Sequence, residues 1–216
     1  MTELPMFPLG TVLFPYMPLP LRVFEERYVI MLSRVLQNEP AEFGVALIER
    51  GQESGGGGTT FDVGTIAQIT ELDAAEGFIA IQTQGDRRFE IVRWLDDDPH
   101  PRAEIRELPD LEWDEALEPL RDRAEQIVRR TLAQASEFRD IAWSSTVELD
   151  DDPVARCWQL AAIAPLEQLD QVRLLRSSSM QELLSETIEL TLAASVTLVE
   201  LPDGFGTDEH DDEDDQ

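Results

Sequence analysis

Prolines punctuate the first twenty residues so closely that no helix can form there. Pro5, Pro8, Pro15, Pro18 and Pro20 divide an otherwise apolar strip, and each lacks the backbone N–H that a helix interior needs. Proline is tolerated at strand starts, strand edges and bulges. The strip therefore predicts two or three short strands joined by bends rather than the unbroken apolar segment of a secretory signal. The side chains expected to face a core are Leu9, Val12, Leu13 and Phe14.

The chain is strongly acidic and contains no lysine. Its 216 residues include 17 basic and 45 acidic side chains, giving a net charge of −28, and every basic residue is arginine. Because nucleic-acid affinity comes mainly from cations that neutralise phosphates, we expect no nucleic-acid partner. An acidic surface is also expected to repel anionic membranes. Residues 202–216 carry too much charge to pack against a core, so they predict a disordered tail.

The missing lysine excludes several kinds of catalytic site. A phosphate-binding loop needs a lysine after its glycines, so the glycine run 55–58 predicts a turn between strands. Schiff-base lysines and Ser-Lys dyads are excluded for the same reason. His100 lies between two prolines and His210 lies in the acidic tail. We therefore predict no catalytic, cofactor-binding or metal-binding residue, and neither ATP hydrolysis nor peptide-bond hydrolysis.

The cysteine content and the lengths of the apolar runs indicate the cellular compartment in which the protein resides. Cys157 is the single cysteine of the sequence, so an internal disulfide and a multi-cysteine zinc site are excluded. The apolar runs fall well short of the roughly 20 residues that a membrane helix needs. These features together predict a cytoplasmic protein without a membrane partner.

The apolar pattern changes near residue 110, which predicts two domains, 1–110 and 111–201. Short apolar runs with glycine-marked bends indicate strands in the first half. The predicted strands are Phe43 to Ile48, Val63 to Leu72, Gly77 to Thr83, Arg88 to Trp94 and Ala103 to Leu108. One helix is predicted among them because Tyr28, Met31, Leu32, Val35 and Leu36 recur on a single face. Its expected role is to cover an open end of the sheet.

The second half has the period of helices. A long first helix is predicted from its apolar stripe of Leu117, Leu120, Ala124, Ile127, Thr131, Ala135 and Phe138. Asp152 before Pro153 predicts a cap and a first-turn proline, and Pro165 predicts the start of the next helix. Ser179 and Glu182 have the spacing of a capping box that opens a final helix through Leu201. The sequence therefore predicts a bundle of four helices.

These motifs together resemble a known family. The order "MFPLGTVLFP", "LPLRVFEERYVIML", "FGVALIERG", "DVGTIAQI", "QGDRRFEIV" and "RAEIREL" is similar to the N-terminal substrate-binding domain of Lon-type ATP-dependent proteases, in its stand-alone bacterial form. The resemblance implies an α+β fold: a PUA-like, partly closed β-barrel with one covering helix, followed by an α-helical bundle. Such domains commonly carry glycine after Phe-Pro, where this chain has Tyr16, so we expect a less free bend there.

The resemblance favours a non-catalytic module that binds unfolded or partly unfolded polypeptides through their apolar segments, alone or as adaptor for a partner protease or ATPase. Two alternatives stay open. PUA-like barrels elsewhere bind RNA, although this chain has no basic patch. An unrecognised hydrolase would use paired carboxylates such as Asp96, Asp97 and Asp98, which more simply indicate a solvated turn before Pro99.

A proline-bounded bend is the predicted location of the binding surface. Tyr16 and Met17 lie in this bend, where side chains often reach the surface, and methionine adapts to varied partners. With Phe24 and Tyr28 at the start of the covering helix, they are predicted to form an apolar groove between barrel and helix. The alternative is that all four seal the end of the barrel. If the groove is absent, the expected location is the helical bundle around Trp143 and Trp158.

Overall fold

Six strands and one helix precede a helical region. The computed structural model describes residues 1–50, 59–137 and 140–199. The strands are β1 (Thr2–Leu9), β2 (Pro18–Val23), β3 (Glu42–Arg50), β4 (Thr59–Ala75), β5 (Phe78–Leu95) and β6 (Arg102–Glu107). The helices are α1 (Glu26–Val35), α2 (Glu118–Ala135), α3 (Pro153–Ile163), α4 (Gln168–Leu175) and α5 (Met180–Val199). The glycine run 55–58, Phe138, His210 and the predicted tail 202–216 lie outside the described residues.

The sheet closes on itself over five of its strands. The strand order is β2-β5-β4-β3-β1-β6, and β5 also pairs with β6. The pairing of β1 with β3 is parallel, whereas the other pairings are antiparallel. Strand β2 pairs with β5 outside this ring. The prediction of a partly closed barrel in an α+β fold is therefore confirmed.

The opening strip forms two strands separated by an irregular loop. Strand β1 ends at Leu9 and β2 begins at Pro18, and the loop between them buries Leu13 and Phe14 while Val12 is half-buried. Both β2 prolines lie on a strand that pairs on one side only, as expected for residues without an N–H. The predicted strands and bends of the strip are thus confirmed.

Gly85 was predicted to mark a bend or a bulge between two strands. The two predicted strands form one strand, β5, from Phe78 to Leu95, and its pairing with β4 shifts register beside Gly85, as a bulge would. A Cβ at Gly85 would lie 2.1 Å from the carbonyl oxygen of Phe14. The glycine is therefore required because the loop backbone crosses β5 at that point, not because the strand turns.

Helix α1 covers the barrel as predicted. Tyr28, Met31, Leu32 and Val35 are buried, whereas Leu36, the helix C-cap, is exposed. The ring of Tyr28 stacks on Phe7 of β1 with a centroid separation of 4.1 Å and an interplanar angle of 11°. Since these residues recur every three or four positions, one apolar face of the helix is buried along its whole length.

Two of the predicted helix starts are confirmed and one is displaced. Asp152 caps α3 by accepting a 2.8 Å hydrogen bond from the Ala155 N–H. In the capping box of α5, Ser179 Oγ accepts from the Glu182 N–H at 3.2 Å, and Glu182 accepts from the Ser178 N–H at 2.7 Å. Helix α4 begins at Gln168, after a short extended connection, rather than at Pro165. Helix α2 ends at Ala135 and buries Val128 and Leu132, which the predicted stripe omitted.

Barrel and helices share one continuous core. A single cluster of buried side chains runs from Phe7 and Phe14 in the first half to Trp158 and Leu184 in the second. A smaller cluster inside the barrel includes Met6 and Phe89. The division into two domains near residue 110 stays a prediction, and both halves contribute side chains to the shared core.

None of the helices in the described part of the chain combines the length and the apolar character needed to cross a membrane.

Candidate functional site

A cavity lined mainly by apolar residues lies at the junction between barrel and helices. We call it the junction cleft, and its volume is about 370 Å³. One wall is the loop between β1 and β2, the opposite wall is the segment 140–143, and the floor is the turn between α3 and α4. Its apolar lining includes Val12, Met17, Leu19, Ile141, Trp143 and Leu166. A volume of this order accommodates a few large side chains.

Hydrogen bonds to the sheet hold the loop wall in place. Thr65 Oγ1 in β4 donates to the Leu13 carbonyl at 2.6 Å. The Tyr16 N–H donates to the Gly85 carbonyl at 2.7 Å, and the Gly85 N–H donates to the Met17 carbonyl at 2.9 Å. These three hydrogen bonds, all made by backbone groups of residues 13–17, fix the backbone where Met17 lines the cleft.

An arginine of α2 holds the segment that directly follows the opposite wall. Arg129 Nη1 donates to the carbonyls of Ser145 and Val147 at 2.7 and 3.1 Å. The segment from residue 141 to 150 alternates between exposed and half-buried positions, although it is not a strand. Trp143 is one of the half-buried side chains and faces the cleft. Across the floor, the Gln168 side-chain amide donates to the Gly10 carbonyl, which ties α4 to the loop wall.

The four residues predicted to form a groove lie at different places. Met17 and Tyr28 are buried in the core, whereas Tyr16 and Phe24 are 38% and 67% exposed. Met17 lines the junction cleft. Tyr28 and Phe24 line a second cavity of about 240 Å³ between β2 and α1, and Tyr16 lines neither. The structure therefore does not bring the four side chains into one groove, and a binding role for any of them stays a prediction.

Tyr16 adopts a backbone conformation that favours glycine. Its φ is 62°, the one positive value among the described non-glycine residues. This agrees with the expectation of a constrained bend where related domains carry glycine. Burial raises the pKa of the Tyr16 hydroxyl, and nearby negative charges raise it further, in the order Asp152, Asp110, Asp86 and Asp150.

His100 and the aspartate triplet 96–98, considered above as candidate catalytic residues, lie close to hydrogen-bonding partners. His100 is buried, and its Nδ1 lies 3.1 Å from the Pro101 carbonyl. Arg34 donates to the Asp98 carbonyl at 2.6 Å, and Arg102 donates to the Asp96 carbonyl at 3.0 Å. The triplet therefore forms a turn held by its backbone, as the simpler interpretation expected. In residues 1–50, 59–137 and 140–199, no three His, Cys, Asp or Glu side chains are placed to hold a metal ion.

The contribution of Ile141 and its neighbours to the cleft was not predicted from the sequence. Only Trp143 was named, as part of an alternative location in the helical bundle. A signal was present, because apolar residues alternate in this stretch at Ile141, Trp143, Val147 and Leu149. Such alternation is typical of an extended segment with one side on a core. In the structure these four side chains pack against the shared core.

The fold and the cleft define an α+β domain in which a partly closed barrel and a helical region flank an open cleft lined mainly by apolar residues. The chain belongs to the family described as the ATP-dependent protease La (LON) substrate-binding domain, which matches residues 3–192. The resemblance drawn from the sequence is thereby confirmed. What is matched is the non-catalytic domain of these proteases, and membership implies a general role in binding substrate proteins.

Relatives and solved structures agree with this assignment. The chain is 27% identical over 202 residues to Lon protease 2 of Herpetosiphon aurantiacus, covering 92% of this chain and 24% of that protein. It is 27% identical over 190 residues to Lon protease of Escherichia coli, covering 83% and 23% respectively. The chain thus spans about a quarter of the length of these relatives.

Two solved structures share the fold. The Lon N-terminal domain protein from Xanthomonas campestris has a TM-score of 0.63 at 24% identity, covering 88% of this chain and 98% of that one. The N-terminal domain of Lon protease from the Mycobacterium avium complex has a TM-score of 0.61 at 18% identity, with the same coverage of both chains.

Proposed function

We propose that this chain is a non-catalytic module that binds exposed apolar segments of unfolded or partly unfolded polypeptides in the junction cleft. It would do so alone or as an adaptor that presents clients to a partner protease or ATPase. The observation that carries the proposal is the apolar cleft itself, lined by Met17, Trp143 and Leu166 in a member of a substrate-binding family.

The chemistry of the cleft suits an apolar side chain. Trp143, Ile141 and Leu166 are half-buried, so each presents apolar surface that a ligand would cover. Tryptophan is enriched among residues that dominate binding energy, because its large ring is rigid and loses little entropy. The hydrogen bonds that hold both walls reduce the ordering cost of binding, which leaves more of the contact energy for affinity.

Charge supports a polypeptide rather than a nucleic acid as the ligand. Many arginines of the described surface pair with carboxylates, for example Arg93 with Glu104, Arg106 with Glu90 and Arg173 with Glu186. Phosphate recognition needs cations that are available to the phosphates. The overall charge of −28 opposes such binding further.

A pair of matched tryptophan variants tests the proposal. Trp143 lines the junction cleft, whereas Trp94 is a partly exposed tryptophan on β5 that does not line it. Trp143→Ser is expected to weaken binding of a permanently unfolded, fluorescently labelled model protein by about tenfold or more. Trp94→Ser should leave that affinity unchanged. Circular dichroism and thermal melts establish that both variants are folded.

Equal affinities of the wild type and of both folded variants would refute the cleft as the binding site. Met17 is less suitable for this test than Trp143, because it is only 8% exposed and its truncation would also destabilise the core.

A further inference from the structure

The charged residues that line the junction cleft are all acidic. Asp140 and Glu167 lie at its rim, and no arginine is among its lining residues in the described part of the chain. Neither carboxylate is in an ion pair with a described residue, so both are available to a ligand. Arg139, adjacent in sequence, lies outside the described residues.

The long-range field has the same sign as the rim. The whole chain carries a net charge of −28 and has no lysine. A field of one sign raises the local concentration of oppositely charged ligands and speeds their encounter. Apolar ligands with acidic flanks would be repelled both at a distance and at the rim.

We infer that the junction cleft selects, among apolar polypeptide segments, those flanked by arginine or lysine, with the apolar side chains in the cleft and the flanking cations at Asp140 and Glu167. This inference rests on the proposed function, and it adds the chemical class of the substrate. The expected ligand is thus a polypeptide segment whose apolar centre is buried in the cleft. Its basic flanking residues pair with the carboxylates at the rim.

Short labelled peptides with one apolar centre and different flanks provide the test. Flanks of arginine, serine and glutamate are compared by fluorescence anisotropy at low and at high salt. The arginine-flanked peptide is expected to bind roughly tenfold more tightly than the glutamate-flanked one at low salt. High salt should bring the affinities together, because exposed charges are screened.

Matched charge variants assign the selectivity to the rim. The double variant Asp140→Asn and Glu167→Gln should remove most of the preference for basic flanks, measured as the ratio of the affinities for the arginine-flanked and the serine-flanked peptide. Glu167 makes no side-chain capping bond to α4, so its replacement removes no cap. The double variant Asp73→Asn and Glu76→Gln, on the exposed β4–β5 turn region away from the cleft lining, removes the same charge and should keep the preference.

The outcomes separate this inference from the proposal beneath it. Equal binding of all three peptides refutes selection by charge and leaves apolar binding intact. Failure of every peptide to bind refutes both. A preference that survives in the rim variant, or that disappears equally in the control variant, refutes the role of Asp140 and Glu167. The same comparison in Arg139→Gln shows whether that residue offsets the rim charge, and a preference seen only in that variant also overturns the inference.

Discussion

The guanidinium carbon of Arg88 lies 4.9 Å from the centroid of the Trp158 ring, within the core shared by the barrel and the helices. Arg88 belongs to β5 and Trp158 to α3, so the contact joins the two halves of the chain. The same guanidinium donates to the carbonyls of Leu175, Ser177 and Pro109 at 2.8, 2.7 and 2.7 Å. Burial lowers the pKa of Arg88, and the charge of Asp110 opposes that shift.

Replacing Arg88 tests how strongly the halves are joined. Arg88→Met keeps an apolar stem but leaves three carbonyl groups without their donor, so we expect a loss of about 2–4 kcal/mol in the free energy of unfolding. Arg93→Met on the same strand removes an exposed arginine paired with Glu104 and should change stability little. Urea denaturation followed by tryptophan fluorescence measures both. Similar midpoints for the two variants would show that the buried contacts add nothing.

The strands of the opening strip and the caps of α3 and α5 were predictable because local chemistry determines them, whereas the barrel was implied by the family resemblance. Prolines restricted the opening strip to strands, and Asp152 before Pro153 specified a cap whatever the rest of the fold. The role of Arg88 was not predictable, because its three acceptors lie at sequence separations of 21, 87 and 89 residues. Nothing local to an arginine in a strand indicates that it will be buried.

The candidate site was predictable only in part, for a related reason. The bend at Tyr16 and Met17 lies next to a cavity, but the direction of the two side chains depends on hydrogen bonds of the bend to Thr65 and Gly85. Those hydrogen bonds turn Met17 inward and leave Tyr16 outside. The opposite wall comes from residues more than 120 positions later, so only tertiary structure could pair the two walls.

The φ of 62° at Tyr16 predicts an unusual order of stability between two variants. At most positions alanine stabilises a protein relative to glycine, because glycine loses more backbone entropy on folding. At a left-handed position the Cβ costs about 1–2 kcal/mol, which offsets that entropy difference. Tyr16→Gly is therefore expected to be at least as stable as Tyr16→Ala, although both lack the ring. Chemical denaturation of the two variants measures their order of stability. A clearly more stable alanine variant would contradict a left-handed backbone at Tyr16.

Gly85 provides a test of the loop wall. A Cβ there would lie 2.1 Å from the Phe14 carbonyl oxygen, a backbone atom that cannot rotate away. Gly85→Ala should therefore displace the loop, cost about 1–3 kcal/mol of stability and weaken client binding in the junction cleft. Gln84→Ala, at the neighbouring exposed position, should do neither. Unfolding curves and the anisotropy assay measure the two effects, and an unaltered Gly85→Ala variant would mean that the loop does not cross β5 so closely.

Cys157 reports on opening of the junction between the halves. It precedes Trp158 in α3 and is fully buried, and burial raises the pKa of its thiol to about 12. The charges of Arg121 and Arg156 oppose that shift. Below this pKa the folded protein holds the thiol protonated, and the thiolate is the reactive form. At pH near 8 we therefore expect labelling by a disulfide reagent to be slower than in denaturant by on the order of a thousandfold or more.

Because Cys157 is the single cysteine of the sequence, the absorbance of the released thiol measures this position alone. Labelling should accelerate in Arg88→Met, whose junction opens more often, and should stay slow in Arg93→Met. The core around Cys157 must open for the reagent to reach the thiol, so the labelling rate follows the population of the open state when reclosing is fast. Rapid and complete labelling of the folded wild type would show instead that α3 is accessible without opening, and that the core shared by barrel and helices does not hold the junction closed.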